Sequence, residues 1–396
     1  MGKTRDEYLK IHWTRYPAFP SAAVKRGRVG AEDMQLESLL EMQMSDSQIK
    51  ARDVLQNGDL VALLNKNKVL LLAPNLSTRT DVGQWAANKD WQDFLQHVRR
   101  YFLGKSFQEV KTPTLVACPG TEPSLDVFET EFREGSKSRR FYLPTSPELN
   151  LKKLLAEGAE NIFEIAAVFR NGEITPRHRP EFTMLEWYRA FSSLDSIRTD
   201  AQQLVAFLAA ALNEKPPEKV LSFTVAELFK QHLNFDFKPA TSAAELQKLA
   251  ELHGVDVRSA TCIDDYFYLI FMEKLEFKWP AESLVFVEKY PPYQAALARV
   301  DSDGWAERFE IYWGGFELAN AFHELNDPVV QRQRSAEDLQ KKMQSQKPPV
   351  ALDEKFFQAL EFGLPPAGGI ALGLERLYMV LRGKKDIGLI NRIYEG

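Results

Sequence analysis

Cysteine is nearly missing. Cys118 and Cys262 stand far apart in 396 residues. With no CxxC pair and no Cys/His ligand spacing, a disulfide framework and a thiolate zinc site are both excluded. Long apolar runs are missing too. No stretch approaches the roughly 18 residues needed to cross a bilayer, and the N-terminus has no hydrophobic signal core. The chain therefore reads as cytoplasmic, with no membrane role. Nor is there an overall positive field: 50 Lys and Arg face 55 Asp and Glu, a net charge of −5. A broadly basic surface, the usual footprint of a nucleic-acid binder, is not present. What is present, 44% hydrophobic and 27% charged residues, is the make-up of an ordinary globular chain, long enough for one large domain and a small one.

Positive charge does gather locally. Lys3, Arg5, Lys10, Arg15, Lys25, Arg26 and Arg28 crowd the first thirty residues against Asp6 and Glu7, either a solvated segment or an arm for an acidic partner. Further on, Leu60–Leu64 and Val69–Leu72 flank Asn65-Lys66-Asn67-Lys68, a hairpin signature, with an earlier turn at Asn57-Gly58. Trp91, Phe94, Leu95, Val98 and Phe102 recur at helical spacing up to a C-cap candidate, Gly104. A strand, FQEVKTPTLV, follows, and Pro113 marks it as an edge or a bulge. FYLPTSPELNLKKLL reads as strand, turn and helix, with Ser146 as hydroxyl cap, Pro147 in the first turn and Glu148 at the positive end. Residues 195–290 read as a helical subdomain, and QRQRSAEDLQKKMQ as a solvated helix.

Three stretches carry chemistry. The first is NIFEIAAVFRNGEITPRHRPEFTMLEWYRAF, residues 161–191. In its second strand, Phe182, Met184, Glu186 and Tyr188 share one face, and Thr183, Leu185, Trp187 and Arg189 the other. The turn holds Arg177, His178 and Arg179. By itself this is either a hairpin with a solvated cationic turn or a nucleotide platform. In the platform reading Arg170 and the loop cations take phosphates and Phe182 stacks on a base. The second stretch, AERFEIYWGGFELANAFHEL, is two strands joined at Gly314-Gly315. Its Glu317 and Glu324 are seven apart and would face opposite ways on an unbroken strand, so they converge only if the chain bends after Glu317. The third, GGIALGLERLYMVL, is a strand running into a helix. Gly368, Gly369 and Gly373 permit close backbone approach, and Arg376 falls in the first helical turn.

These stretches carry a family resemblance. FRN, the basic loop and HRPEFTMLEWY resemble motif 2 of the class II aminoacyl-tRNA synthetases. GIALGLERL resembles motif 3, and the helix and strand around Pro113 resemble motif 1. Within that superfamily the chain is most similar to a lysyl-tRNA synthetase paralogue, the elongation factor P–(R)-β-lysine ligase family, from about Trp91 to the C-terminus. The resemblance implies an α+β fold, an antiparallel β-sheet flanked by helices, over residues 86–396, with a helical insertion at about 195–290. Residues 1–85 then form an N-terminal extension with a small β-rich domain, a reduced relative of the OB-fold barrel of lysyl-tRNA synthetases. Motif 1 implies a homodimer.

The implied activity is ATP-dependent activation of (R)-β-lysine or lysine as an acyl-adenylate, then transfer to a lysine side chain of elongation factor P, with tRNA not the acceptor. Arg170 and Arg376 become the catalytic pair, on the α- and γ-phosphates. ATP would also meet Asn171, Gly172, Glu173, Arg179, Phe182, Glu317, Leu318 and Gly373. Mg²⁺ would sit on Glu317 and Glu324. The amino acid would meet Ser146, Pro147, Glu148, Glu186, Tyr188, Asn320, Glu324 and Ala371. Three positions depart from the family. Gly172 replaces the motif 2 Glu that reads the adenine amino group, with Glu173 next to it. Arg179 stands for the usual Asn, and Glu375 for a frequent Asp. Ala371, where lysyl-tRNA synthetases usually have Gly, adds a methyl worth roughly 1–3 kcal/mol in a tight pocket, which favours β-lysine. The competing readings are tRNA lysylation, with the N-terminal β unit as anticodon reader, and a non-catalytic paralogue, motivated by Gly172.

Overall fold

The computed structural model describes residues 84–344, 347–348 and 350–390, together with five short strands ahead of them. Those strands are β1 (Lys25–Arg28), β2 (Glu41–Met44), β3 (Ser47–Lys50), β4 (Leu60–Asn65) and β5 (Lys68–Ala73). β4 and β5 form the antiparallel hairpin, with Asn65 opposite Lys68. β1 pairs with β4, and β2 pairs with β3. Lys3, Arg5, Lys10, Arg15 and the Asn57-Gly58 turn lie outside the described residues. The chain divides into two compact units after Lys89.

The second unit holds β6 (Gln108–Glu109), β7 (Glu129–Glu134), β8 (Lys137–Tyr142), β9 (Asn161–Phe169), β10 (Glu181–Ala190), β11 (Lys219–Thr224), β12 (Ser283–Tyr290), β13 (Ala306–Trp313), β14 (Phe316–His323) and β15 (Ala367–Gly373). Eight of them form one sheet in the order β11-β12-β13-β14-β15-β10-β9-β6. The interior pairs are antiparallel; the pairs at the two edges, β11 with β12 and β6 with β9, are parallel. β7 and β8 make a separate, largely exposed hairpin. This is the mixed α+β architecture expected, a large sheet flanked by helices.

The two faces of the sheet differ. Leu185, Trp187, Ala319, Ala321, Ile370 and Leu372 take alternate positions on three strands and enter one hydrophobic core. The helices Gln84–Gly104, Leu194–Ala211 and Leu374–Leu381 close that side through Phe94, Phe102, Leu204, Leu208 and Leu377. Phe102 stacks on Phe163 at 4.9 Å and tilts against Trp187 at 5.1 Å. Truncating Trp187 to Ala would cost about 3–5 kcal/mol. On the opposite face the helices Glu148–Ala156 and Glu354–Gly363 cover Ile162, Tyr188 and Ala367 and leave the middle of the sheet open.

Three expectations change. The inserted segment is not wholly helical. Its helices Val225–Leu233 and Ala243–Leu252 start at capping boxes, Thr224 with Glu227 and Ser242 with Glu245, but β11 and β12 extend the large sheet. Short apolar runs such as SLVFVEKY do not distinguish a buried strand from a buried helix by periodicity. The strand around Pro113 shrinks to Gln108–Glu109, an edge strand that stops before the proline. The charged helix Pro328–Gln344 is not simply solvated, since Gln331, Ser335 and Lys342 are buried. Among the described residues no helix is long and apolar enough to cross a membrane.

Candidate active site

Strand register assembles the site. Glu164, Glu186, Ala371, Asn320 and Glu310 form one row across β9, β10, β15, β14 and β13. Residues paired across antiparallel neighbours project to the same face. Ala371 therefore leaves a gap between Glu186 and Asn320, with a further acid beyond each. In a parallel row, Gly369 lies between Tyr188 and Phe322. A Cβ on Gly369 would overlap the Glu324 carboxylate and the Tyr188 ring. Only glycine lets those groups lie over the strand.

The acidic groups on this side form a hydrogen-bonded cluster. Ser146 Oγ accepts from the Glu148 amide at 2.9 Å and donates to Glu186 Oε1 at 2.6 Å. The Tyr188 hydroxyl donates to Glu186 Oε2 at 3.0 Å. Lys152 Nζ donates to Glu148 Oε1 at 2.6 Å and lies 2.6 Å from Glu324 Oε2. Glu186 is 0% exposed and Lys152 1%. Burial works against the lysine's charge, but Glu148 and Glu324 outweigh it and hold Lys152 above the usual ammonium range. Burial, then the Glu148 charge, pushes Glu186 up to about 8 despite its two donors. Burial pushes Glu324 up to about 8 against the pull of Lys152. Two carboxylates thus share one lysine, and the third is held by two hydroxyls.

The other end is cationic. Arg170 and Arg376, from the first and third chemistry-bearing stretches, line the same cavity of about 830 Å³. The Arg170 guanidinium lies 5.1 Å from the centre of the Phe182 ring, and its Nε is buried with no partner among the described residues. Arg376 donates to the Glu317 carbonyl at 2.8 Å and to His178 Nε2 at 2.6 Å. A guanidinium has no acceptor, so His178 Nε2 accepts and its Nδ1–H is left to donate to Thr175 Oγ1, 2.8 Å away. Burial, then Arg376, holds the His178 pKa below its usual value. His178, read with Arg177 and Arg179 as a loop cation, is thus a neutral brace for Arg376.

The bend needed after Glu317 is a β-bulge. Ile311 pairs with Ala319 and Tyr312 with Glu317, so Leu318 is the extra residue. It turns Glu317 back to the face that carries Asn320 and Glu324. Burial and the nearby Glu310 raise Glu317 to about 7, against Arg376, Arg308 and Arg170. The carboxylate still opens to the cavity, with 42% of its side chain exposed, and lies 3.9 Å from Arg376. Glu324 has a different setting, buried on Lys152. The two acids expected to share a cation therefore have different partners.

Ser146, Glu148, Gly172, Glu173, Arg179, Phe182, Leu318, Asn320, Ala371 and Gly373 join Arg170, Glu317 and Arg376 on the cavity wall. Five expected residues do not. Pro147 is the N-cap of the helix Glu148–Ala156, one position later than the hydroxyl cap expected at Ser146. Asn171 is exposed, and its backbone N–H donates to the Asp126 carbonyl at 3.0 Å. Glu186, Tyr188 and Glu324 lie one layer below the wall, covered by Ser146 and Lys152. Asn320 Oδ1 is buried without a partner among the described residues, a polar atom that calls for a ligand. Glu375 is structural: both its oxygens accept from the Thr183 amide at 2.9 Å. Among the wall residues that sequence reading missed are Glu122, Tyr268, Ser335 and Asp338. None belongs to a stretch with a recognisable spacing.

The family model for tRNA synthetases class II (D, K and N) matches residues 86–391. Curated relatives include three proteins called elongation factor P--(R)-beta-lysine ligase. That of Haemophilus influenzae (strain PittGG) is 36% identical over 311 residues, covering 76% of this chain and 94% of the relative. That of Haemophilus ducreyi (strain 35000HP / ATCC 700724) is 38% identical over 290 residues, covering 72% and 86%. That of Salmonella paratyphi B (strain ATCC BAA-1250 / SPB7) is 34% identical over 298 residues, covering 74% and 90%.

Proposed function

We propose, from the premise that the chain belongs to the class II tRNA synthetase family and to its elongation factor P–(R)-β-lysine ligase branch, that this ATP-dependent ligase activates (R)-β-lysine or lysine and passes it to a lysine side chain of elongation factor P. One observation carries the reading: a single cavity has an acid-rich end and an arginine-rich end. Glu148 on the wall, with Glu186 and Glu324 one layer beneath it, stands against a single Lys152, an excess of two negative charges when all are ionised. A diamino acid brings two ammonium groups to match. Its carboxylate is then directed toward Arg170 and the α-phosphate.

The first step needs alignment more than a base, because a carboxylate is already a nucleophile. It attacks the α-phosphorus, and pyrophosphate leaves. Arg170 and Arg376 offset the charge that builds on the phosphates. The unpartnered Arg170 Nε supports this role. Phe182, under Arg170, offers its ring to adenine. Gly172 turns with φ +79, a conformation glutamate rarely takes, and Glu173 lines the cavity. Glu173 is therefore our candidate for the adenine amino group. Among the described residues no three His, Cys, Asp or Glu side chains gather to hold a metal. Glu317 offers one hard oxygen donor, which fits Mg²⁺ when phosphates and water complete its shell. Held there, the ion would supply positive charge against the phosphates. We assign the reaction to the cytoplasm and to a homodimer, as the family resemblance implies.

The test is ATP–pyrophosphate exchange with α-lysine and (R)-β-lysine in parallel, followed by transfer to elongation factor P or to lysine tRNA. Exchange with β-lysine and labelled elongation factor P are expected. Rapid tRNA charging with elongation factor P left unmodified would reject the acceptor. A protein that binds neither ATP nor amino acid would reject the activity.

A further inference from the structure

Transfer has a requirement that neither end of the cavity meets. An acceptor lysine arrives as an ammonium, with an unperturbed pKa of about 10.4, and has no lone pair for attack. We propose that Glu122 receives this ammonium at the cavity wall, takes one proton, and releases the amine onto the acyl carbonyl. This rests on the ligase reading above and adds a residue to its second step.

Glu122 shares one cavity wall with Glu148, of the acid-rich end, and Arg170, of the cationic end. Those two, with Lys342 and Asp338, are its charged neighbours. The acyl carbonyl joins amine-bearing chain to phosphate, so it lies between the two ends of the cavity that Glu122 lines. Its loop is pinned along its length. Thr145 Oγ1 donates to the Pro119 carbonyl at 2.9 Å. Lys342 Nζ donates to the carbonyls of Glu122 at 3.3 Å and Leu125 at 3.0 Å, and Lys347 Nζ to that of Ser124 at 2.6 Å. Gly120, with φ +117, has no side chain where the Glu122 carboxylate lies; a Cβ there would overlap it. Two lysines thus pin the loop of Glu122 by its carbonyls, and Gly120 leaves room for the carboxylate.

The step balances. The ammonium gives a proton to the Glu122 carboxylate. The neutral nitrogen forms a bond to the carbonyl carbon, the bond from that carbon to the AMP oxygen breaks, and AMP leaves as the phosphate anion. The amide nitrogen sheds its second proton to solvent. Burial foremost, then Glu148, raises the Glu122 pKa above the usual carboxylate range, against Arg170 and Lys342, with Asp338 also facing it. A carboxylate so raised is a better base than an ordinary one.

The experiment measures exchange and single-turnover transfer to elongation factor P for wild type, Glu122→Gln and Glu122→Asp. Glu122→Gln should cut transfer about 100-fold while exchange drops at most a few-fold. Raising the pH toward 9.5, where roughly a tenth of the acceptor is already neutral, should restore much of the loss, and Glu122→Asp should retain intermediate transfer. Equal losses in both half-reactions, or transfer at the wild-type rate in Glu122→Gln, would overturn the role. Wild-type protein that exchanges with neither lysine isomer would instead remove the ligase reading, and this step with it.

Discussion

The acid-rich end of the cavity, where we place the substrate amines, is furnished from strand interiors, and the arginine-rich end, where we place the triphosphate, from strand tips and a loop. Glu186 and Asn320 hold fixed register positions in β10 and β14, and Lys152 is locked between two carboxylates. Arg170 follows the last residue of β9, Arg376 belongs to a first helical turn, and Arg177 stands exposed in the loop between β9 and β10, 5.0 Å over the Phe316 ring. The contrast follows from charge and solvation. A small diammonium group can be selected by a rigid, buried negative site, where each acid is costly unless matched. A triphosphate is large and carries its own cation, so its partners do better near solvent, where they adjust on binding. Errors at the two ends should accordingly differ, with lost stability at the amine end and lost rate at the phosphate end.

The largest test of that contrast is Lys152→Met. It leaves Glu148 and Glu324 buried without their counter-charge, and breaking a buried pair costs about 3–5 kcal/mol. The urea midpoint should fall accordingly, and adding Glu324→Gln should recover part of it. An unchanged midpoint would mean that the cluster is not what holds this end together. Next, Arg376→Ala should lower exchange about 100- to 1000-fold, or roughly 2.7–4 kcal/mol of transition-state stabilisation, with the urea midpoint nearly unchanged. His178 should matter through Arg376. His178→Ala removes the acceptor that braces the guanidinium, so the KM for ATP should rise and the KM for the amino acid should hold.

How far the sequence discloses each end depends on the kind of constraint. The faces of β10 were legible because Leu185 and Trp187 alternate with Glu186 and Tyr188, and a period of two leaves no other arrangement. The bend after Glu317 was legible as a necessity, though its form as a bulge at Leu318 was not. Whatever depends on remote partners stayed hidden. His178 looks cationic until Arg376, nearly two hundred residues away, takes its Nε2. The buried side of the helix Pro328–Gln344 is built from Gln331, Ser335 and Lys342, polar residues that leave no apolar stripe to read. The burial of Glu186 and Tyr188 beneath Ser146 depends on how the helix Glu148–Ala156 settles on the sheet, and no spacing encodes that.

A smaller effect probes the gap at the centre of the amine end. Ala371 lies between Glu186 and Asn320, so its methyl fills space a shorter or longer substrate backbone would use. Ala371→Gly should shift the ratio of kcat/KM between (R)-β-lysine and α-lysine toward α-lysine, by an amount within about 1–3 kcal/mol. Exchange assays with both isomers measure it. A ratio that stays put would assign the preference to Glu186 and Asn320 themselves.

The smallest expected effect separates the ends by pH. Without ligand, Glu186 and Glu324 titrate at about 8, so near neutrality they hold protons that an incoming ammonium must displace. Affinity for the amino acid should therefore rise with pH by up to about tenfold per unit below 8, about 1.4 kcal/mol for one proton, until the substrate's own amine begins to deprotonate. Stability of the free protein should run the other way. Both groups have folded pKa values above the usual carboxylate value of 4.5. Their contribution is full below that value and lost as pH rises through about 8. Between pH 5 and 8 the empty protein should melt progressively lower while its KM for the amino acid falls. Glu186→Gln should flatten the KM profile, since a neutral amide has no proton to give up. A KM that does not change from pH 6 to 8 in the wild type would mean these acids are ionised before the substrate arrives. The amine end would then be preset in charge as well as in geometry.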